Sequence, residues 1–486
     1  GKELLKSAST AITSVNGVYR SMWTAGWSTT ANTHQCFGIA AYNLALDCMA
    51  DDLIMQSQGN GWFWGDHCYN VKSNYTSSAF RSYDVWYANY KWIANVNYII
   101  DAEPEMAGTE ADVAYVAGQA YAIRALCYLN LATWFSRAPY NSLTGASRWN
   151  EPCVPVYTTG TSIDTGGQPR ESLRTVYGRI DQDIDRAIEL LEKARETTLA
   201  ENNKSHINLY VALGIKSRAC LAEGDWDGAF KAAKRVIDEG GYAVGTKSDL
   251  TGGMNSLDKQ NVMRGAGIQV ADQAGGYAGF FTHMDNKEGA YAKSAPKLIS
   301  KQLYNRISAT DIRRDWWDPS DKESPYVSKK FSFANVASFL GDYIYMRVEE
   351  MYFTAAEAAL RLDDLKSARE LMNTVMAERD PGYSANNRSG TLLGATTTTW
   401  TGSFLENILT HRRIELWGEY GRLFDVRRLG QGIDRRTDDG FSEECISMMN
   451  RRNVNITKAD TYDWVLTIPK AELDANPNIN EEDQNP

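Results

Sequence analysis

Two well-placed carboxylates are enough to hydrolyse a glycosidic bond when they sit about 5 to 10 Å apart. This chain of 486 residues offers 61 acidic side chains, and Asp51, Asp52, Asp66 and Asp311 lie near aromatic residues. With so many acids a pair can always be nominated, so the hydrolase reading gains little weight from position alone. Metal chemistry has less support. The histidines His34, His67, His206, His283 and His411 show no HExxH or comparable ligand spacing. No G-x-S-x-G elbow, phosphate-binding glycine loop or dinucleotide fingerprint occurs. The seven cysteines are scattered without a CxxC pair, as expected of small buried residues and not of a disulfide framework. No metal and no cofactor is expected.

Recognition is the other chemistry these residues could perform. "GNGWFWGDHCYN", Gly59 to Asn70, sets Trp62, Trp64 and Tyr69 beside Asp66 and Asn70 with no helical or strand period. Such rings either fold back as a lid on the core or form a stacking platform for a sugar, which has an apolar face and many hydroxyls. The composition of 14 Trp, 26 Tyr and 14 Phe favours aromatic-lined surfaces, because many of them cluster in 59–92, 275–291 and 316–326, where helical period is weak. A net charge of -10 excludes nucleic acid as a partner, since phosphate binding needs a basic stripe. No apolar run approaches the roughly 20 residues that span a bilayer.

The elements that must position these groups are helical and paired. "NLYVALGIKSRACLAEGDWDGAFKAAKRVIDEGG" reads as two helices around an acidic turn, and "EEMYFTAAEAALRLDDLKSARELMNTVMAERDPG" repeats it. Leu221 and Leu360, Asp225 and Asp364, Ala229 and Ala368, and Val236 and Val375 are matched at one offset, 139 positions. Small residues at crossing points and an acidic turn are the signature of tetratricopeptide-like hairpins. "SYDVWYANYKWIANVNYIIDA" with "EADVAYVAGQAYAIRALCYLNLATWF" makes another pair, and "SFLENILTHRRIELWGEYGRLFDVRRLG" a fourth. The stretches 139–170, 240–345 and 384–402 read as irregular, and loops of that length usually serve a purpose.

The segment "HRRIELWGEYGRLFDVRRLG" resembles the hallmark of the SusD/RagB family of outer-membrane nutrient-binding lipoproteins, through Arg412, Glu415, Leu416, Glu419, Arg422, Asp425, Arg428 and Gly430. His411 departs from the usual glutamate. "YMRVEEMYFTAAEAAL" is similar to a second family stretch through Arg347, Glu350, Tyr352, Ala356, Glu357 and Ala358, and "IPKAELDANPNINEEDQNP" to the family's ending. The alternating Arg and Glu of 412–428 are most simply a buried ion-pair network and not ligand contacts.

The resemblance implies a mainly α, SusD-like fold built on four tetratricopeptide-like helical hairpins with long irregular aromatic-rich loops. It implies a single domain over 1–486, with hairpins at about 80–136, 172–240, 343–382 and 403–430 and an irregular ligand-site part at about 20–80 and 240–342. It also implies a non-catalytic, surface-exposed lipoprotein of the cell outer membrane, anchored upstream of Gly1, that binds a glycan and passes it to a SusC-like TonB-dependent transporter. A relative tuned to peptides or another nutrient is the alternative, and a glycoside hydrolase a third. In the family, ligand contacts tend to come from loops after the first helices and from the irregular segment before the D-x-R-R motif. Here those regions contribute Trp62, Trp64, Asp66, Tyr69, Asn70, Asn74 and Tyr75, then Tyr277, Phe280, Phe281 and Tyr291. Trp316 and Trp317 are expected to pack, and Trp23 and Trp27 are balanced between packing and contact. The segments 139–170 and 384–402 are the expected transporter face, with Trp400 as an anchor.

Overall fold

Asp225 and Asp364, matched by the internal repeat, perform the same task in the folded chain. Each follows a left-handed residue, Gly224 (φ 72°) or Asp363 (φ 60°), and caps the next helix with its side chain. Asp225 accepts from the Gly228 amide at 2.9 Å and opens Trp226–Glu239, while Asp364 accepts from the Ser367 amide at 3.1 Å and opens Leu365–Ala377. Capping satisfies amides that the first helical turn leaves without partners. The matched apolar residues Leu221, Leu360, Ala229, Ala368, Val236 and Val375 are all buried. Val348–Arg361 packs on both Leu365–Ala377 and Trp226–Glu239, so the two repeats adjoin.

The computed structural model describes residues 1–24, 33–70, 80–268 and 278–486, and about half of the chain is helical. The long helices Phe80–Ala102, Glu110–Phe135 and Leu173–Lys193 pack in succession, with Thr109 and Ser172 capping the second and third. Phe404–Glu415 and Arg422–Leu429 close the scaffold against Val348–Arg361 and Ile39–Met49. The stretch 240–345 has no long period, yet it contributes strands to two small antiparallel sheets. One orders Leu53–Met55, Lys297–Ile299, Val327–Ser328 and Trp317–Asp318, with Leu53 opposite Ile299 and Leu298 opposite Val327. The other pairs Val262–Ala266 with Tyr343–Arg347. The first sheet draws the segment around residue 60 against that around residue 290. No described helix is long and apolar enough to cross a membrane.

Charge holds the interior together. Glu415, fully buried, receives Arg379 Nε at 2.7 Å, Arg347 Nη1 at 2.9 Å and Arg313 Nη1 at 3.3 Å. Arg379 also reaches Glu349 at 2.7 Å, and Arg347 and Lys330 both reach Glu419 at 2.8 Å. Beside this cluster, Arg412 and Arg428 clasp Asp425, and Arg428 extends to Glu357. Burial alone would raise the Glu415 carboxyl, but the Arg379 and Arg347 guanidiniums outweigh it and hold the group well below the usual carboxylate range. His411, where the family pattern has glutamate, lies within 2.8 Å of Arg313 Nη2 through Nδ1. Burial and then the Arg313 charge keep this imidazole well below its ordinary 6.5, so it is neutral and accepts the guanidinium hydrogen.

Glu415→Ala is expected to cost about 3 to 5 kcal/mol, because it strands several buried guanidiniums. A chemical-unfolding midpoint within error of wild type would contradict this. His411 gives a second expectation. A base held neutral in the fold stabilises above the unfolded pKa, and that contribution fades as pH falls below 6.5, where the unfolded imidazole takes up a proton that the folded one refuses. The stability difference between wild type and His411→Gln should therefore shift against wild type by about 1 kcal/mol between pH 7.5 and pH 5.5. Urea titrations of both proteins at the two pH values measure it, and a shift in favour of wild type would refute the neutral imidazole.

Candidate functional site

The loop expected to form the platform is turned inward by two constraints. Phe63 adopts a left-handed conformation (φ 63°) and starts the one-turn helix Trp64–His67. Asp66 then meets Arg81, with Nε to Oδ1 at 2.8 Å and Nη2 to Oδ2 at 3.0 Å, both side chains fully buried. Trp64 is buried with its ring tilted on His67, and Tyr69 donates its hydroxyl to the Met49 carbonyl while Arg435 stands over its ring. The expectation of ligand contact is thus corrected for Trp64, Asp66 and Tyr69. Their polar atoms and ring faces are turned to the interior, and the buried guanidinium fixes Asp66 there.

Trp62 and Asn70 remain at the surface, half-buried and exposed respectively. Trp62 lies flat on His34, ring centroids 4.6 Å apart at 7°, and Tyr291 approaches its edge at 6.2 Å. His34 Nδ1 and the Tyr291 hydroxyl are 2.5 Å apart. Beneath them His283, fully buried, holds the His34 carbonyl through Nε2 at 2.6 Å and touches the Tyr291 ring at 4.9 Å. Burial, then Lys297, depresses His283 well below 6.5, so it is a neutral donor that fixes the segment before Ile39–Met49. Gly38 (φ 84°) lets that segment turn: a Cβ there would stand 2.0 Å from the Met22 carbonyl oxygen. Sequence reasoning brought Trp62 and Tyr291 forward and missed His34, a lone histidine whose partners are distant in sequence.

The other expected contacts divide. Phe281 is buried and Phe280 half-buried, in a cluster where Phe280 meets Phe331 at 5.1 Å and Tyr343 at 6.1 Å. Ring contacts with Phe280, Phe333 and Tyr343 on a side chain only 3% exposed make Phe281 a core residue, which corrects its expected role. Asn74, Tyr75 and Tyr277, like Trp27, lie outside the described residues. Trp316 and Trp317 are buried, and Trp316 donates to the Leu250 carbonyl at 2.9 Å.

The carboxylates nominated for hydrolysis are all held by arginine. Asp51 and Asp52 pair with Arg422 and Arg413 at 2.7 Å, and Asp311 with Arg313 at 2.7 Å. Asp66 is spoken for by Arg81, as above. All four side chains are buried in these pairs. Among the described residues no group of His, Cys, Asp and Glu could hold a metal ion.

A broad depression adjoins the aromatic cluster. A basin of about 820 Å³ is walled by 285–296 and 318–336, and its lining mixes Lys287, Lys293 and Lys329 with acids such as Glu288, Asp321 and Glu323 and with Phe331 and Phe333. Its wall includes Lys293 of the short helix Ala290–Ser294, which also carries Tyr291. Nothing in the spacing of these charges marked them in the sequence, because they come from a short helix, a two-residue strand and the turns beside them.

This architecture is shared. The family profile described as "SusD family" matches residues 291–486, and one described as "Starch-binding associating with outer membrane" matches residues 23–221. The chain is similar to the solved structure of a SusD-like carbohydrate binding protein from Bacteroides vulgatus, at 24% identity over 98% of both chains with a TM-score of 0.79. It is similar to a SusD superfamily protein from Bacteroides thetaiotaomicron, at 22% identity over 99% of this chain and 100% of that one, TM-score 0.78. More distantly it matches surface glycan-binding protein A from Bacteroides thetaiotaomicron in complex with laminarihexaose, at 15% identity over 98% and 99% of the two chains, TM-score 0.67. No curated protein matches. Two profiles that between them take in most of the chain, a hallmark segment that forms the buried charge network, and one fold throughout lead to the same conclusion: the chain belongs to the SusD family.

Proposed function

We propose that this protein is a non-catalytic, cell-surface glycan-binding lipoprotein that presents oligosaccharide to a SusC-like TonB-dependent outer-membrane transporter. The observation that carries this reading is the half-buried Trp62, stacked on His34, edged by Tyr291 and next to an open polar basin. A ring held flat by a neighbour can take the C–H face of a pyranose without loss of side-chain freedom, and the basin's amides and charges can bind its hydroxyls. The profile that mentions starch and the relative solved with laminarihexaose support the ligand class.

A second reading has its own support. Trp64, Tyr69 and Phe281 are interior, so fewer rings face outward than the sequence promised, and the basin is dominated by lysine and acid. Such a surface suits a charged nutrient, a peptide or an acidic glycan, better than a neutral glucan.

The transporter face also changes in detail. Trp400, expected as an anchor, is covered by the Arg306 guanidinium at 3.8 Å and approached by Arg413 at 5.4 Å. Its loop is tied to the body by Thr397 to Gly432 at 2.9 Å and Gly432 to Ala395 at 2.8 Å. Leu392, 70% exposed in the same segment, is the side chain left to meet a partner.

Trp62→Ala should weaken binding of an oligosaccharide chosen on a glycan array by about 1 to 3 kcal/mol in calorimetry, with the melting temperature unchanged. Trp64→Ala should do the reverse, lowering the melting temperature through a cavity while binding survives. If Trp62→Ala binds like wild type, the aromatic surface is not the glycan site; if only peptides or acidic glycans bind at all, the second reading replaces the first. Leu392→Asp should reduce co-purification with the transporter and leave ligand affinity alone. Unchanged co-purification would remove this segment from the interface.

A further inference from the structure

On the first long helix, away from Trp62 and the basin, a separate cavity of about 250 Å³ is lined by Trp86, Tyr87, Tyr90, Asn97, Tyr157 and Glu472. It is smaller than the roughly 300 to 1,000 Å³ of sites for drug-sized ligands, so it suits a compact group. Its rings are not coplanar. Tyr157 stands at 90° to Tyr90 with centroids 5.8 Å apart, and Trp86 at 53° to Tyr90 at 4.9 Å. Crossed walls enclose a compact group on several sides, whereas a pyranose needs one flat face.

The walls are held in place. The Tyr90 hydroxyl donates to the Pro155 carbonyl at 2.7 Å, the Tyr157 hydroxyl accepts from the Gln168 amide at 3.0 Å, and Asn97 Nδ2 donates to the Tyr157 carbonyl at 3.1 Å. Across the cavity, Gly167 lies so close to Asn476 that a Cβ there would stand 2.4 Å from its side chain, which brings the rim of 161–167 against the helix Lys470–Ala475. Glu472, on that helix, accepts from Asn476 Nδ2 at 3.0 Å through Oε1, and Oε2 takes no hydrogen bond among the described residues. Among the described residues, no lysine, arginine or histidine lines the cavity. Burial first, and then the Glu472 charge, pushes the Tyr87 hydroxyl up to about 12, so the tyrosines stay neutral and Glu472 supplies the negative charge.

We infer that this cavity is a binding site for a small organic cation, an alkylated ammonium group enclosed by Trp86, Tyr87, Tyr90 and Tyr157 and neutralised by Glu472. Ring faces attract a desolvated cation through their quadrupole, and a nearby unpaired carboxylate completes the charge. The ligand is either a free quaternary amine or a lysine side chain of a polypeptide. The inference is independent of the glycan reading and stands or falls without it.

Saturation-transfer NMR and calorimetry on the whole protein test it, with choline, with N-acetyl-lysine methylamide, and with 3,3-dimethylbutanol as the uncharged counterpart of choline. Choline should bind saturably and at least about tenfold more tightly than the neutral alcohol, and Glu472→Gln should remove about tenfold of that affinity. Tyr87→Leu, on a half-buried ring, should weaken choline in the same way while the melting temperature stays put. Preference for the lysine derivative over choline keeps the cation site and assigns it to a polypeptide. Equal binding of choline and the alcohol, an undiminished Glu472→Gln variant, or no binding of either cation overturns it, as does displacement of bound choline by a neutral oligosaccharide.

Discussion

Glu415 is the constraint on which the remaining structure depends. A buried carboxylate is costly unless its lone pairs are taken up, and here Arg313, Arg347 and Arg379 take them from three different parts of the chain. Arg347 closes the strand Tyr343–Arg347, Arg379 follows the helix Leu365–Ala377, and Arg313 lies in the one-turn element after Asp311. One side chain on Phe404–Glu415 therefore sets where a sheet, a hairpin and the irregular region stand relative to one another. Hydrophobic packing would tolerate many such arrangements, but a network of directed hydrogen bonds accepts few.

The same device reaches the surface around Trp62. Asp51 and Asp52 precede the strand Leu53–Met55 and are held by Arg413 and Arg422, so the amino-terminal segment is fastened to the carboxyl-terminal helices. That strand pairs with Lys297–Ile299, which lies just beyond Tyr291. The surface of Trp62, His34 and Tyr291 is thus assembled from segments more than 200 positions apart in sequence and held by buried charges.

How far the sequence could be read follows from the range of the interactions. Asp225 and Asp364 cap helices through amides three residues away, and the alternation of Arg412, Glu415, Glu419 and Arg422 lies within a few turns, so both were visible as local pattern. The fate of Trp64 and Tyr69 was not, because it depends on Asp66 finding Arg81 and on a left-handed Phe63, neither of which leaves a periodic trace. His34 joined Trp62 and Tyr291 only in the folded chain, and the Trp400 ring is covered by Arg306, 94 positions upstream. Aromatic residues in loops announce that something must cover a ring; what covers it is decided by the tertiary fold.

His411 carries a consequence for how this chain can change. Around Glu415 the cations Arg313, Arg347, Arg379 and Lys330 meet the anions Asp311, Glu349, Glu415 and Glu419, and the neutral imidazole adds nothing to either side. The cluster is electroneutral as it stands. Restoring the glutamate of the family pattern would introduce a surplus negative charge in a buried site, so the familiar residue is the disfavoured one here unless a neighbour changes with it. The histidine and its surrounding acids form a coupled set that has to vary together.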